Sequence, residues 1–306
     1  MEQIQRAPLF HFRAWLESLR LRTLPLAFAS ILTGSTLAWW QGSFNLIIAL
    51  LCLLTSGLLQ VLSNLANDYG DAVKGSDGST RLGPLRGIQK GVITLAQLRT
   101  SIVIATLMAL TCGILLISYA CDSLSDVFSF LLLGALAIVA AIAYTVGKKP
   151  YGYLGLGDLS VLIFFGWLGV CGSFYLQSHL IAPLILLPAT ACGLLAAAVL
   201  NINNLRDIDT DRQCGKMTLA VRLGGDNARR YHLLLLSGAL LCFALFACLS
   251  GAGWGSWLFL LAVPLFWHQG CYILREKSSV AMRPMLEKTV KAALLANVLF
   301  SIGMLL

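Results

Sequence analysis

Charged residues are scarce in this sequence. Of its 306 residues, 12% are charged and 58% are hydrophobic, and the mean hydropathy is +0.80, whereas an ordinary soluble domain is about 25% charged. No Pro- or Ser-rich stretch divides the chain. These absences exclude an ordinary water-soluble protein and a string of linked domains, so we predict one domain over residues 1–306.

Closely spaced cysteines and histidines are also absent. The nine cysteines are scattered, nearly all within apolar runs, and the four histidines are isolated from one another. Zinc sites and disulfide frameworks need such residues at short, defined spacings. We therefore predict that the cysteines are small core residues and that no histidine binds metal.

Long apolar runs take the place of charge. Nine runs approach or reach the about 17–25 residues that a helix needs to cross a bilayer. The first lacks a small-residue cleavage site, so we interpret it as a retained span rather than a signal peptide. We predict an all-α polytopic membrane protein of about nine transmembrane helices. The runs lie near 22–41, 44–66, 98–120, 127–146, 158–177, 181–202, 233–250, 254–272 and 289–306.

The positive charges occupy alternate connections. All 22 Lys and Arg residues lie before the first span or after the second, fourth, sixth and eighth spans. Because Lys and Arg accumulate on the cytoplasmic side of membrane proteins, we predict a cytoplasmic N-terminus. Topology and attraction to anionic lipid explain the net charge of +8. We see no nucleic-acid-binding module, so we expect membrane lipid and no nucleic acid as partners.

Two of the basic connections begin with acids and amides. Asn67 and Asp71 are four residues apart after the second span, and Asn203, Asp207 and Asp211 repeat this spacing after the sixth. Residues at i and i+4 share a helix face, so each segment forms an oxygen-bearing stripe near the membrane surface. One such segment is typical of an ordinary helix end. Two matching segments predict stripes that face each other, and a duplicated unit with halves of about 20–150 and 155–306.

Clustered carboxylates near hydrocarbon need compensating cations. Oxygen ligands without His or Cys favour a hard ion, and Mg²⁺ usually takes only one or two carboxylates together with phosphate oxygens. The stripes therefore predict a site for Mg²⁺ and a diphosphate. Topology also accounts for the nearby basic residues, which are suited to the same phosphates. These residues are Arg81, Arg86, Lys90, Arg206, Lys216 and Arg222.

These motifs resemble a known family. The segments 67–71, 206–211 and 215–224 (Asn-Asp-Tyr-Gly-Asp, Arg-Asp-Ile-Asp-Thr-Asp and Gly-Lys-Met-Thr-Leu-Ala-Val-Arg-Leu-Gly) are similar to the UbiA superfamily of intramembrane aromatic prenyltransferases. The segments 83–91 and 149–158, followed by Phe164 and Phe165, resemble the branch that prenylates 1,4-dihydroxy-2-naphthoate in menaquinone synthesis. The similarity runs from about residue 20 to the C-terminus.

The resemblance implies a bundle of nine helices around a central cavity, in the bacterial cytoplasmic (inner) membrane, with its active site facing the cytoplasm. It implies transfer of a polyprenyl group from polyprenyl diphosphate to 1,4-dihydroxy-2-naphthoate, with loss of carbon dioxide and diphosphate, to form demethylmenaquinone. Two Mg²⁺ ions would bridge the diphosphate to the acidic motifs. The implied metal ligands are Asn67, Asp71, Asp77, Asp207 and Asp211. Asp77 departs from the commonest superfamily pattern, because it lies six positions after Asp71 rather than four.

The resemblance also implies roles for individual side chains. The implied catalytic residues are Asp68, Asp71, Asp207, Asp211, Arg206 and Lys216. The implied substrate-binding residues are Asn67, Arg81, Arg86, Lys90, Tyr144, Lys149, Asp158, Asn203 and Arg222. Tyr144 is a candidate for stabilising an allylic cation, although packing also explains it. Asp158 has two interpretations, as a cap of the fifth span or as a group that positions the aromatic substrate or its base.

Two alternatives stay open. A prenyltransferase for another aromatic acid, such as 4-hydroxybenzoate, would use the same site. A cation-coupled transporter would place acids near the middle of the bilayer and contain broken helices. Here the acids lie at the ends of spans, beside basic connections.

Overall fold

The computed structural model of the protein describes residues 8–75 and 86–306, and these residues form helices and turns without a β-strand. In chain order the helices are α1 (Pro8–Leu19), α2 (Leu24–Trp40), α3 (Leu46–Val73), α4 (Leu95–Ala120), α5 (Leu124–Ala143), α6 (Gly157–Ser178), α7 (Pro183–Arg206), α8 (Ile208–Gln213), α9 (Leu219–Leu223), α10 (Gly225–Leu249), α11 (Trp254–Arg275) and α12 (Met282–Leu305).

Nine of these described helices match the nine predicted spans. Eight are long and apolar enough to cross a membrane, and α2 is a shorter apolar helix of 17 residues. The all-α, polytopic fold is therefore confirmed. The second span is longer than predicted, because α3 continues past residue 66 to Val73 and includes the first acidic motif.

Short polar side chains fix where several helices begin. The Asn45 carboxamide oxygen accepts hydrogen bonds from the backbone N–H groups of Ile47 and Ile48 at the start of α3. Thr94 and Gln97 form a capping box at the start of α4. At the other end of α3, Gly75 takes a positive φ of 69°, a conformation that favours glycine and ends the helix.

The centre of the bundle is α7, which packs against α6, α10 and α12. Glycine allows the closest approach: a Cβ at Gly166 of α6 would lie 2.6 Å from the carbonyl oxygen of Ala189 on α7. Small residues at such contacts let helix backbones approach each other, as is common in membrane bundles. Residues 162–172 of α6 are wound as a π-helix, so the span is widened where it meets α7.

One end of the bundle collects the basic residues. We call it the basic end; it comprises the connections between α3 and α4, α5 and α6, α7 and α10, and α11 and α12, together with α1. Every described Lys and Arg lies in these segments or in the adjoining helix turns. Contacts join them: the Met217 N–H donates to the Tyr153 carbonyl oxygen at 3.1 Å, and Arg229 donates to the Glu276 carbonyl oxygen at 3.0 Å. The acidic motifs lie at this same end.

Candidate active site

The last turns of α3 hold two buried carboxylates. Asp68 and Asp71 are 1% and 4% exposed, and Nη1 of Arg86 lies 3.2 Å from Asp68 Oδ1 and 3.1 Å from Asp71 Oδ2. Arg20 adds a second guanidinium group, which donates to Asp68 Oδ1 at 2.6 Å. A charge that is removed from water needs partners of this kind, so the guanidinium groups of Arg86 and Arg20 stabilise the two carboxylates in this buried position.

The connection between α5 and α6 fixes the shape of this helix end. The Thr145 hydroxyl lies 3.0 Å from the Ala66 carbonyl oxygen and 3.1 Å from Asn67 Oδ1. A Cβ at Gly70 would lie 2.6 Å from the Thr145 carbonyl oxygen, so a larger residue would push the two segments apart. The side chain of Asn67 is therefore engaged with Thr145, while the backbone carbonyl oxygen of Asn67 accepts a hydrogen bond from Arg86 at 3.3 Å.

The second acidic segment is not one continuous helix. The helix is interrupted at Asp207, between α7 and α8, so Asn203, Asp207 and Asp211 do not share one uninterrupted helix as the spacing predicted. Arg206 pairs with the side chains at this point, because its Nε donates to Asp207 Oδ1 at 2.8 Å and its Nη2 reaches both Asp207 Oδ2 and Asn203 Oδ1. Asn203, Arg206 and Asp207 thus form a compact group of their own.

Lys216 joins the two acidic segments. Its Nζ lies 4.0 Å from Asp71 Oδ1 and 3.8 Å from Asp211 Oδ1. Since both oxygens lie within 4.0 Å of one nitrogen, they are no more than about 8 Å apart. A metal ion with a bound diphosphate can bridge this distance. The structure therefore brings Asp71 and Asp211 close together, although Asp71 belongs to α3 and Asp211 to α8.

Tyr153 is a site residue that the sequence reasoning missed. It is 9% exposed, and its hydroxyl donates to Asp71 Oδ1 at 2.9 Å. Two ammonium groups lie over its ring, with Lys74 Nζ 5.1 Å and Lys216 Nζ 5.4 Å from the ring centroid, an arrangement of cations on an aromatic ring. The only signal for it was its place within the 149–158 segment.

A basic pocket of about 440 Å³ opens beside Tyr153. Lys149 and Arg222, which were predicted to bind substrate, line it together with Lys74 and Lys148. Arg222 is held by the connection, because its Nε donates to the Met217 carbonyl oxygen at 3.2 Å. We call this cavity the basic pocket.

The other predicted residues are more dispersed. Lys90 is ion-paired with Glu17 of α1. Leu156, not Asp158, occupies the cap position of α6, so Asp158 sits inside the first turn. Asp77 and Arg81 lie outside the described residues.

Tyr144 connects Asp158 with the acidic segments. A Cβ at Gly157 would lie 2.8 Å from the Tyr144 hydroxyl oxygen, which places this hydroxyl over the first turn of α6. Burial raises the pKa of the Tyr144 hydroxyl, and Asp158 raises it further, with smaller contributions that include Asp71 and Asp211. All three carboxylates are therefore within electrostatic reach of one phenol.

The donor set can be tested against a metal ion. In the described part of the chain, no three His, Cys, Asp or Glu side chains converge on one point. The pair Asp71 and Asp211 nevertheless supplies two carboxylates, which is the number that Mg²⁺ usually takes when phosphate oxygens complete its shell. Lys216 between them shows that this position already holds positive charge. The residues therefore fit a Mg²⁺–diphosphate group.

The fold and these paired acids define the class of protein. The chain belongs to the UbiA prenyltransferase family, whose sequence model matches residues 27–290, and the resemblance seen in the motifs is confirmed. It is 62% identical to the 1,4-dihydroxy-2-naphthoate octaprenyltransferase of Escherichia coli, over 96% of both chains. It is 53% identical to the protein of the same name from Haemophilus influenzae, again over 96% of both chains.

Solved structures share the fold. A UbiA homologue from Aeropyrum pernix, solved without ligands, has a TM-score of 0.66 and 17% identity, and the match covers 94% of this chain and 98% of that one. A UbiA homologue from Archaeoglobus fulgidus, bound to GPP and Mg²⁺, has a TM-score of 0.62 and 16% identity, with 95% and 98% covered. Both likenesses support the architecture of the bundle.

Proposed function

We propose that this protein transfers the polyprenyl group of a polyprenyl diphosphate to 1,4-dihydroxy-2-naphthoate, with loss of carbon dioxide and diphosphate, and so forms demethylmenaquinone. The names of the Escherichia coli and Haemophilus influenzae relatives support this acceptor. The observation that carries the proposal is the single ammonium group of Lys216, which is held between carboxylates of the two acidic segments.

The chain's own basic residues suit the first step. Breaking the allylic C–O bond leaves negative charge on the diphosphate, and positioned cations stabilise a charge that develops in this way. Arg86 and Lys216 both contact Asp71, so they lie where the diphosphate would bind. Tyr144 offers an aromatic face near the same acids, which stabilises an allylic cation in a site that excludes water.

Asp71 and Asp211 would hold Mg²⁺ together with diphosphate oxygens. When bound there, Mg²⁺ supplies positive charge that stabilises the leaving diphosphate. The Archaeoglobus fulgidus homologue, solved with GPP and Mg²⁺, supports this assignment. Asn67 and Asp207 would join as ligands only by exchanging their hydrogen bonds with Thr145 and Arg206.

Carbon–carbon bond formation follows at the acceptor. The ring carbon that carries the carboxylate attacks the allylic carbon, and the bond to the carboxylate then breaks to release carbon dioxide. The electrons of that bond return to the ring, so the product leaves as the hydroquinone form of demethylmenaquinone. Lys149 and Arg222 in the basic pocket would attract the anionic acceptor.

We further propose that the basic end faces the cytoplasm of a bacterial inner membrane. Every described Lys and Arg lies at this end, as the distribution of positive charge in membrane proteins requires. The acceptor and the released diphosphate are water-soluble, so a site at this end gives them access, while the polyprenyl tail stays in the bilayer.

Three substitutions within the acidic segments test the proposal. Asp71→Asn and Asp211→Asn should each reduce prenyl transfer by at least about 100-fold, the loss typical when a charge-stabilising group is removed. Asp209→Asn is the matched control, because its exposed carboxylate reaches Ser279 at 3.4 Å and not Lys216. Product is measured chromatographically with purified protein in detergent, with Mg²⁺ and with EDTA. Full activity of Asp71→Asn would remove the basis for the assignment.

Two further readouts address the metal and the acceptor. Mg²⁺ with a non-reactive prenyl diphosphonate should raise the melting temperature of the unsubstituted protein and not that of Asp71→Asn. Competition between 1,4-dihydroxy-2-naphthoate and 4-hydroxybenzoate identifies the acceptor, and we expect product from the naphthoate alone. Preferential prenylation of 4-hydroxybenzoate would overturn that choice.

A further inference from the structure

Asp158 differs from the other buried acids of the described chain. Asp68, Asp71 and Asp207 are each ion-paired with an arginine. Asp158 is 6% exposed and has no ion-pair partner among the described residues. Its Oδ1 has no hydrogen-bond partner in the part of the chain that the structure describes. A buried carboxylate oxygen without a donor is costly, and this cost calls for an explanation.

Two tyrosines lie near Asp158. Tyr231 of α10 is within electrostatic reach of its carboxylate. The Tyr144 hydroxyl lies over the adjacent Gly157 and is also within electrostatic reach of Asp71 and Asp211. Asp158 is therefore close to the acidic segments rather than in an isolated part of the core.

The chemistry of the acceptor matches such an oxygen. An aromatic hydroxy acid carries hydroxyl groups that donate hydrogen bonds and a carboxylate that does not. A carboxylate side chain accepts from the hydroxyl and repels the carboxylate, whereas the cations of the basic pocket attract it. An aromatic acceptor that is bound through both a hydroxyl group and its carboxylate takes one orientation in the site.

We propose that Asp158 is an acceptor-binding residue whose Oδ1 accepts a hydrogen bond from one ring hydroxyl of the aromatic substrate. The inference rests on the proposed function, because it requires a hydroxylated aromatic acceptor at this site. It adds a specificity determinant: an acceptor that lacks this hydroxyl leaves the oxygen unpaired and binds more weakly.

Equilibrium binding tests the inference without turnover. The dissociation constants of 1,4-dihydroxy-2-naphthoate, 1-hydroxy-2-naphthoate and 4-hydroxy-2-naphthoate are measured anaerobically on purified protein in detergent. The unsubstituted protein should bind one monohydroxy analogue about tenfold or more weakly than the dihydroxy compound, as loss of a hydrogen bond to a charged group implies. In Asp158→Asn and Asp158→Leu this ratio should fall towards one, while KM for polyprenyl diphosphate stays unchanged.

The chain offers a matched control. Asp126 of α5 is another aspartate close to a tyrosine, because it accepts a hydrogen bond from Tyr175 at 2.7 Å, but it lies at the opposite end of the bundle. Asp126→Asn should leave the binding ratio as it is. If Asp158→Leu does not fold, the binding ratio is compared with that of Asp158→Asn alone.

The outcomes separate the two proposals. If the unsubstituted protein prenylates the naphthoate but both Asp158 variants keep its binding ratio, the inference about Asp158 is overturned and the proposed function stands. The same holds if the unsubstituted protein binds all three compounds equally. If it does not prenylate the naphthoate, the proposed function fails first.

Discussion

Replacement of Arg86 by methionine gives a prediction whose magnitude follows from the structure. One nitrogen of Arg86 lies 3.1–3.2 Å from carboxylate oxygens of both Asp68 and Asp71, and all three side chains are at most 8% exposed. Breaking a buried ion pair by removing one partner costs about 3–5 kcal/mol. Because Asp68 keeps Arg20 and Asp71 keeps Tyr153, we expect a value near the lower limit.

The assay is thermal unfolding in detergent, followed by reaction of a thiol dye with buried cysteines such as Cys52 and Cys192. At about 2–4 °C per kcal/mol for a chain of comparable size, Arg86→Met should lower the melting temperature by about 6 °C or more. Mg²⁺ should recover part of this loss, because it replaces the missing charge beside Asp71.

Lys90→Met is the matched control for Arg86→Met. Lys90 lies on the same connection, but its partner Glu17 and its own side chain are 37% and 27% exposed. Exposed pairs of this kind contribute about 0–1 kcal/mol, so the melting temperature should change by less than about 4 °C. Equal melting temperatures for the two variants would refute the reasoning, since they would show that Arg86 does not compensate buried charge.

Two further pairs of substitutions test the shape of the site. Tyr153→Phe removes the hydrogen bond to Asp71. It should lower kcat by about tenfold, as the loss of a hydrogen bond to a charged group implies. The control is Tyr151→Phe, which loses hydrogen bonds to Ala140 and Ser160 and should leave the Mg²⁺ dependence of the activity unchanged. Gly70→Ala should reduce activity and melting temperature, because the added Cβ meets Thr145; Gly134→Ala, with nothing within 4 Å of its Cβ, should be neutral.

Hydrophobic length and charge alternation made the spans predictable. A single run of apolar residues is stable in a bilayer as a helix, since a helix forms all of its backbone hydrogen bonds within itself. The nine predicted runs correspond to described helices. The helical end of α3 was predictable as well, because the spacing of Asn67 and Asp71 assumed a helix there. Its polar partners were not predictable, because Arg86 and Thr145, which contact this end, are distant in sequence.

The site was predictable as a set of residue types and less so as a geometry. The periodicity rule treated Asn203, Asp207 and Asp211 as one stripe, but the rule holds only for an uninterrupted helix. The helix is interrupted at Asp207, whose carboxylate pairs with Arg206. Tyr153 gave no periodic or charge signal, since its role depends on a tertiary contact with Asp71. The duplicated halves stay a prediction.

Charge balance gives a reason for the metal that does not depend on resemblance. Among the described residues, four acids of the site are matched by four basic partners, so these eight side chains together carry no net charge before substrate binds. A diphosphate brings several negative charges into this neutral, largely buried region, where uncompensated charge is costly. The basic pocket supplies some positive charge, but neither Lys216 nor the four acids are among its described lining residues. A divalent cation that arrives with the diphosphate removes the imbalance at Asp71 and Asp211 themselves, so binding of the prenyl diphosphate should weaken sharply without it. The acids and their partners are Asp68, Asp71, Asp207 and Asp211 with Arg20, Arg86, Arg206 and Lys216.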